Sequence, residues 1–336
     1  MALRLMEVRV PGVSGARVVE LLEDYPSVSL WRENLEGKED LVRIVVNVEE
    51  TEGIIELLNS HYAAVEGFRV VVLPVEATYP VPQEVDRAQV PRWRRRRKRV
   101  SREELYADVV GGARLTWVYV TLAFLSSVVA SLGILRNDVI ILIGAMVIAP
   151  LLGPNVALAL GTTLGDGKVV RRALLATSVG LLIAVSVGFV FGSLLGVSPD
   201  DPQVQARSTV SFGDLLLAFA AGGAGTLAVT VGVAAVVVGV MVAVALLPPT
   251  VVLGMLLGGG HWEPAGGAFL LLVAYLVGIN LAGVVVFLAQ GLRPMTWWAE
   301  DRARKATRRA VAIWGLLLVL LVFVFLLGLP FARPGP

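Results

Sequence analysis

The sequence contains no cysteine among its 336 residues and only two histidines. The absence of cysteine excludes disulfides, thiolate nucleophiles and cysteine-ligated zinc or iron–sulfur sites. His61 and His261 lie in unlike segments at opposite ends of the chain, so we expect no histidine metal cluster. The sequence therefore predicts no metal site and no cofactor.

Charged residues are also scarce, at 17% of the chain, whereas hydrophobic residues make up 56% and the mean hydropathy is +0.76. A soluble domain has about 25% charged and about 45–50% apolar residues. This composition excludes a disordered chain and an ordinary cytosolic enzyme, and it indicates a membrane protein. Charged residues interrupt the first 30 positions, so no cleavable signal peptide is predicted.

Residues 1–80 have the pattern of a small soluble domain. Alternating and helical periodicities predict, in order, a strand at Leu3–Val10, a helix at Gly15–Tyr25, strands at Val28–Trp31 and Leu41–Val48, a helix capped by Thr51, and a strand at Phe68–Val75. This βαββαβ order predicts a ferredoxin-like domain. A ligand-sensing or gating module and a structural or oligomerising cap remain equally open roles. Of the aromatic positions typical of an RNA-binding variant only Phe68 fits, which disfavours that variant.

Residues 81–116 form a predicted basic linker and amphipathic helix. Ser101 and Glu104 have the spacing of a capping box. A basic run before the first apolar stretch favours contact with anionic lipid headgroups, as a cytoplasmic topology signal, over a nucleic-acid arm. We therefore predict no nucleic-acid partner. The basic residues of this run are Arg92, Arg94, Arg95, Arg96, Arg97, Lys98 and Arg99.

Seven apolar stretches follow, each near the roughly 20 residues that cross a bilayer. They lie at 117–135, 139–164, 173–197, 213–231, 233–257, 267–289 and 311–329. Seven spans satisfy the positive-inside rule with the N-terminus cytoplasmic and the C-terminus outside. In that arrangement the segment 290–310 is a basic interfacial segment on the cytoplasmic side, and 311–336 holds the seventh span and a tail. Its lipid-facing cations are Arg302, Arg304, Lys305, Arg308 and Arg309.

The first six spans contain an internal repeat. Shifting the chain by 95 residues places Leu122–Gly165 over Leu217–Gly260 without a gap, and 13 of the 44 aligned positions are identical, against roughly six from composition alone. Each unit, 117–197 and 213–289, has three spans, so the second enters the bilayer from the opposite side. This is an inverted-topology repeat, an arrangement common in secondary transporters and also found in channels.

Both units carry helix-breaking prolines where they match best. Proline removes a backbone N–H and frees the carbonyl four residues earlier, and such groups must be buried in protein or line a wet cavity. We therefore predict breaks at both places and a shared site between them. No carboxylate lies deep in any span, which disfavours a proton relay. The predicted substrate or ion pathway comprises Pro150, Gly153, Pro154, Asn155, Pro248, Pro249, Thr250, Asn280, Ser126, Ser127, Gly222 and Gly223.

Three segments of these spans resemble the hydrophobic prokaryotic membrane family catalogued as domain of unknown function 389. They are IGAMVIAPLLGPNVALALGTTLGD at Ile143–Asp166, AAGGAGTLA at Ala220–Ala228 and VAVALLPPTVVLG at Val242–Gly254. A serine common before the first proline of the family is Ala149 here. The resemblance covers about 117–289 and implies a prokaryotic cytoplasmic membrane location and a soluble first domain. It implies no substrate or reaction.

Two functions from different classes follow. The first is a transporter or channel for an unidentified small solute or ion, regulated by the cytoplasmic domain. The second is a non-conducting membrane-anchored sensor or scaffold. No nucleophile–base pair or metal set is visible, so an intramembrane enzyme is not predicted. Small-residue helix faces favour close helix contacts, and we expect a homo-oligomer, a dimer or trimer, among membrane lipids.

Overall fold

The computed structural model describes residues 3–11, 14–23, 25, 27–35, 39–78, 102–231, 235–292, 312, 314–319 and 323, with only the backbone at 35, 49, 102–103 and 235–244. The chain divides into two compact units, Met1–Leu105 and Tyr106–Pro336. Both predicted basic clusters, at 92–99 and 302–309, lie outside the described residues, as does most of the predicted seventh span.

The first unit contains an antiparallel four-stranded sheet and two helices. Its elements are β1 Leu3–Pro11, α1 Gly15–Glu23, β2 Ser27–Leu35, β3 Glu39–Asn47, α2 Val48–Tyr62 and β4 Arg69–Val75. The strands lie in the order β2-β3-β1-β4, and each neighbouring pair is antiparallel. The element order is the predicted one, and β2 is longer than predicted because its pairing with β3 continues to Leu35 opposite Glu39.

The core of this unit follows from the alternation of β1 and β3. Met6 and Val8 of β1 and Ile44 of β3 are fully buried, together with Leu22 of α1 and Leu58 of α2. Side chains of a strand alternate between its two faces, so one sheet face carries the core under the helices.

The predicted cap of α2 was wrong. The chain passes directly from β3 into the helix, and Asn47, with φ −67° and ψ 146°, is the N-cap residue. Thr51 therefore lies in the first turn of α2, where its side chain is fully buried. An extended residue at the strand end places the start of the helix four residues earlier than the preference of threonine for N-caps suggests.

A buried carboxylate joins α1 to the sheet. Asp40 of β3 is 0% exposed and accepts hydrogen bonds from Arg32 Nη2 at 2.7 Å, Asn34 Nδ2 at 2.7 Å and the backbone N–H of Gly15 at 3.1 Å. Burial by itself raises the pKa of this carboxyl, but the hydrogen bonds and the charge of Arg32 outweigh it and lower the pKa below its ordinary value. Glycine is required at position 15, because a Cβ there would overlap the Asp40 side chain.

The second unit is helical. Its helices are α3 Arg102–Gly112, α4 Trp117–Leu135, α5 Val139–Ile148, α6 Leu152–Leu164, α7 Gly167–Leu195, α8 Pro202–Gln205, α9 Phe212–Thr230, α10 Ala235–Gly258 and α11 Trp262–Ala289. Within the described residues four helices are long and apolar enough to cross a membrane, and a fifth span follows if the bent pair α5–α6 counts as one. Another apolar stretch, Ala245–Gly258, is the part of α10 whose side chains the structure describes. These helices mark the chain as a membrane protein.

Two helices begin earlier than predicted. The predicted cytoplasmic loop 165–172 is mostly helix, because Asp166 accepts hydrogen bonds from the N–H groups of Lys168 and Val169 and so starts α7 at Gly167. In the second repeat α11 starts at Trp262 rather than near 267. Charged and small residues lower the mean hydropathy of the first turns of both helices, so a hydropathy window excludes these turns from the spans.

The helix bounds follow the 95-residue shift. Adding 95 to α4 gives 212–230, which are the bounds of α9. The same shift takes α7 to 262–290, against 262–289 for α11. The segment from the start of α5 to the end of α6 becomes 234–259, against 235–258 for α10.

Close glycine contacts hold α7 against α10. A Cβ on Gly254 would overlap the carbonyl oxygen of Val185, and one on Gly192 would overlap that of Met255. Glycine is required here because the two backbones touch, as is usual at helix crossings in membranes.

Leu318, in the helical residues 314–319, packs against Leu215 of α9 and Ala274 of α11.

Candidate functional site in the membrane helices

The first predicted break is present. α5 ends at Ile148, Ala149 is extended with φ −65° and ψ 124°, and α6 begins at Leu152 with its axis bent by 54°. Pro150 lies in the gap and has no N–H, so the carbonyl of Met146 loses its helical donor. The sequence located this break correctly.

Pro154 has a different role from the predicted one. It lies within the first turn of α6, where a backbone N–H has no helical acceptor. It therefore stabilises the start of α6 rather than breaking a helix. Gly153, in the same turn, touches the backbone of Gly112 at the end of α3, and a Cβ there would overlap the Gly112 carbonyl.

The predicted second break was wrong, because Pro248 and Pro249 lie inside the continuous helix α10. Their missing N–H groups still deprive the carbonyls of Val244 and Ala245 of helical donors. α10 packs closely on α7, since Gly254 and Gly258 both lie against backbone atoms of that helix. We attribute the continuity of α10 to this packing. Unlike the first unit, the second has no proline in the position of Pro150, because the shift places Ala245 there.

Two of the predicted pathway residues meet in the core. Asn280 Nδ2 donates to Asn155 Oδ1 at 3.2 Å and to the carbonyl of Leu276 at 2.9 Å. Asn155 is 1% exposed and Asn280 is 0% exposed. Asn155 Nδ2 in turn donates to the carbonyl of Leu151, next to the break, at 2.8 Å. We refer to Asn155 and Asn280 as the amide pair.

The amide pair has one unsatisfied group. No hydrogen-bond donor in the described part of the chain reaches Asn280 Oδ1, although the atom is buried. Leaving a buried polar group without a partner costs about 1–3 kcal/mol, so such an atom in a helix core requires an explanation.

Thr250 makes a bond that matches one of Asn155. Thr250 Oγ1 donates to the carbonyl of Leu246 at 2.6 Å, and the 95-residue shift relates these residues to Asn155 and Leu151. Thr250 is fully buried. The prediction that Thr250 shares one cavity with the amide pair stays a prediction.

Small residues surround Asn280 along α11. A Cβ on Gly283 would lie 2.8 Å from the Cβ of Ala159, and one on Gly278 would lie 2.6 Å from that of Ala218. A Cβ on the predicted Gly222 of α9 would also overlap the Ile279 backbone. These contacts place α6 and α9 directly against α11. The predicted Gly223 has ordinary space, since its nearest neighbour would be Val286 at 3.9 Å.

The predicted serines of α4 are buried and satisfied by their own helix. Ser126 Oγ and Ser127 Oγ donate to the carbonyl of Ala123 at 3.1 and 2.6 Å. Ser131, which was not among the predicted residues, makes the same kind of bond to the carbonyl of Ser127 at 2.8 Å. The shift relates Ser127 to Gly222, so both positions hold a small residue on the first helix of a unit.

Sequence reasoning missed two tyrosine–aspartate bonds at helix ends. Tyr275 donates to Asp214 at 2.9 Å, and Tyr106 donates to Asp166 at 2.9 Å. Burial, followed by the bond and charge of Asp166, raises the pKa of Tyr106. Asp138, Asp166 and Asp214 lie at helix starts, which agrees with the expectation that no carboxylate lies deep in a span. A search by spacing could not find these pairs, because about 60 residues separate the partners.

Comparisons with known proteins place this arrangement in a family. The chain is 33% identical to the uncharacterized protein MJ0678 of Methanocaldococcus jannaschii over 327 residues, which cover 97% of this chain and 99% of that protein. The family model described as Domain of unknown function (DUF389) matches residues 146–281. The chain belongs to the DUF389 family. The matched residues of the DUF389 domain begin beside the break and include both members of the amide pair. No solved structure matches the chain.

The described part of the DUF389 domain has no cluster of carboxylates and histidines. The described residues contain no group of three or more His, Asp or Glu side chains that could hold a metal ion. The polar groups in its helix core are amides, hydroxyls and backbone carbonyls.

Proposed function

We propose that this protein is a transporter or channel for a small solute or ion, with its pathway passing the amide pair. The observation that carries this proposal is the buried amide pair, where one helix of each sequence repeat contributes an asparagine beside a broken span. Polar side chains inside a membrane are costly and mark pathways or binding sites. Broken helices at the midplane of paired repeats are a common construction of substrate sites.

Reciprocal contacts support a 3+3 inverted repeat. Ala159 of α6 packs on Gly283 of α11, and the shifted pair, Gly254 of α10 and Gly188 of α7, also touch. Each contact joins the second span of one unit to the third span of the other. Exchange of the two units therefore maps one contact onto the other, as a pseudo-two-fold relation requires.

A second equivalent contact lies within each unit. In the first unit Tyr119 of α4 fills the space over Gly180 of α7. In the second, the shifted positions hold Asp214 and Tyr275, which are hydrogen-bonded. The tyrosine has changed helices, but the same two positions meet.

The topology that we propose has seven spans, a cytoplasmic N-terminus and an external C-terminus, in the prokaryotic cytoplasmic membrane. Loop charges support it through the positive-inside rule. Trp117 and Phe212, which the shift relates, are 78% and 63% exposed at the starts of α4 and α9. Exposed aromatics suit the two membrane interfaces, and the inverted repeat puts these two at opposite faces.

We also propose that the first unit is a ferredoxin-like regulatory domain and that the protein is a homo-oligomeric non-enzyme. The strand order β2-β3-β1-β4 and its antiparallel pairings are those of the ferredoxin-like plan. Large apolar side chains, including Leu182 and Leu194 at 65% and 77% exposure, cover the outside of the helices and are available to lipid or to a second copy. A dimer or trimer mass in nanodiscs is the expected result, and a monomer would contradict it.

Tracer uptake tests the proposed conduction. Proteoliposomes holding the full-length protein are assayed with radiolabelled sodium, rubidium and chloride and, by light scattering, with glycerol. We expect uptake of at least one probe above that of empty liposomes. Asn155→Leu should reduce this uptake at least tenfold, whereas Ser131→Ala should retain it. Uptake no faster than in empty liposomes for every probe would favour the non-conducting scaffold.

A further inference from the structure

We propose that the amide pair binds a dehydrated alkali-metal cation. This inference rests on the proposed function and names the substrate or coupling ion of that same site. Its starting point is Asn280 Oδ1, a fully buried acceptor that no donor reaches within the described residues. A cation satisfies such an oxygen as completely as a hydrogen bond does.

Other neutral oxygens belong to Asn155 itself and to the break that precedes it in the chain. Asn155 Oδ1, 3.2 Å from Asn280 Nδ2, has a second lone pair. The carbonyl of Met146 has no helical donor, because its donor position is Pro150. It belongs to the last turn of α5, where the helix dipole is negative and favours a cation. Rings of neutral carbonyls are sufficient to hold alkali cations in channel filters.

The surroundings favour a cation over an anion. Neither α5, α6 nor α11 contains a lysine or arginine to pair with an anion. The N-terminus of a helix attracts anions through its dipole. At the start of α6, however, Gly153 already lies against the carbonyl of Gly112. The unsatisfied atom itself is an acceptor.

Charge and space favour one monovalent ion. Divalent calcium and magnesium are held mostly by carboxylates, and α5, α6 and the described part of α10 contain none. The Glu263 carboxylate of α11 lies in the first turn of that helix, far along the chain from Asn280. Gly278 and Gly283, which flank Asn280, press against Ala218 and Ala159. This close packing favours a single ion over a solute of many atoms.

Cation-dependent melting tests the site. The full-length protein is purified in choline chloride, and its melting temperature is measured after replacement of choline by sodium, potassium or lithium at constant ionic strength. A ligand present at about ten times its Kd should raise the melting temperature of a protein of 336 residues by about 2 °C. We expect at least one alkali cation to do so, with the same effect absent in choline.

Three variants separate binding from structure. Asn280→Ala removes the free oxygen and should abolish the alkali effect. Asn280→Asp supplies a charged oxygen and should strengthen the effect, lowering the Kd of the alkali cation at least threefold. Ser131→Ala is the matched control, a buried polar residue bonded to its own helix and outside the predicted pathway, and should retain the wild-type response.

The outcomes also separate this inference from the proposed conduction. Equal melting temperatures of the wild type in choline and in all three alkali chlorides overturn the cation site, as does a wild-type alkali response in Asn280→Ala. Uptake of glycerol or chloride can then still establish conduction. Conversely, an alkali response that Asn280→Ala abolishes, with no uptake of any tracer, supports the cation site and contradicts transport.

Discussion

The amide pair could be named from the sequence residue by residue, but its bond could not. An asparagine in the middle of an apolar span requires a partner, and one after a proline break is exceptional, so both residues were predicted. Their hydrogen bond joins positions 125 apart. Only the tertiary packing of α6 on α11 determines it. The free oxygen of Asn280 is likewise a property of the packed site.

Asp40 gives a pH prediction at the same scale. Its lowered pKa means that the folded first unit binds this proton less well than the unfolded chain. The stability that it contributes is therefore complete above the ordinary pKa of aspartate and is lost as the pH falls through the lowered value. Asp40→Asn should cost about 1.5–3 kcal/mol at neutral pH, the range for hydrogen bonds to a charged group.

Hydrogen exchange of the full-length protein measures this effect. Samples held at different pH values receive a labelling pulse at one common pH, and peptides from β1 and β3 are compared. Protection should fall on acidification in the wild type and be low and less pH-dependent in Asp40→Asn. The exposed carboxylate variant Glu66→Gln is the control. Wild-type protection in Asp40→Asn would refute the assignment.

At the scale of elements, proline alone did not decide where helices break. Pro150 follows a helix that ends, Pro154 lies in a first turn, and Pro248 and Pro249 lie within a continuous helix. Position within the helix and the closeness of its neighbour determine each outcome. The helix bounds of the two units agree under the 95-residue shift, although the spans read from hydropathy began too late at α7 and α11.

Pro150 and Pro154 should therefore differ in their effects. Pro150→Ala returns an N–H to the Met146 carbonyl and allows α5 to continue across the break, so uptake should fall at least tenfold. Pro154→Ala changes a first turn and should cost less than about 1 kcal/mol, with uptake retained. Uptake and melting temperature of both variants are the measurements. Equal effects of the two changes would show that the break has no special role.

The contact of α7 with α10 predicts a strong glycine effect. Gly254→Ala places a Cβ on the Val185 carbonyl and should destabilise the protein by about 1–3 kcal/mol, typical of overpacking. Gly144→Ala is the matched control in α5, because a Cβ there meets nothing within 4 Å. Melting in mild detergent compares them. If Gly254→Ala melts no lower than Gly144→Ala, the two backbones are not in contact.

At the scale of the whole molecule, composition alone predicted a membrane protein, whereas the sidedness depends on charged segments outside the described residues. The absence of native cysteine makes labelling direct. Gly335→Cys and Asn137→Cys should react with an impermeant thiol reagent in intact cells, and Ala2→Cys should react only after lysis. Protection of the residue introduced at 335 would contradict seven spans.

Blocking the pathway at the amide pair is the most direct test of the central claim, that solute or ion passes this pair between the two repeats. Proteoliposomes of Asn280→Cys are assayed for uptake before and after a small water-soluble thiol reagent, with the wild type and the lipid-facing Leu182→Cys as controls. Our account predicts that Asn280→Cys keeps part of the wild-type uptake, because Asn155 and the break are unchanged, and that the reagent abolishes this remaining uptake, with both controls unchanged. Undiminished uptake after complete modification at position 280 would contradict it.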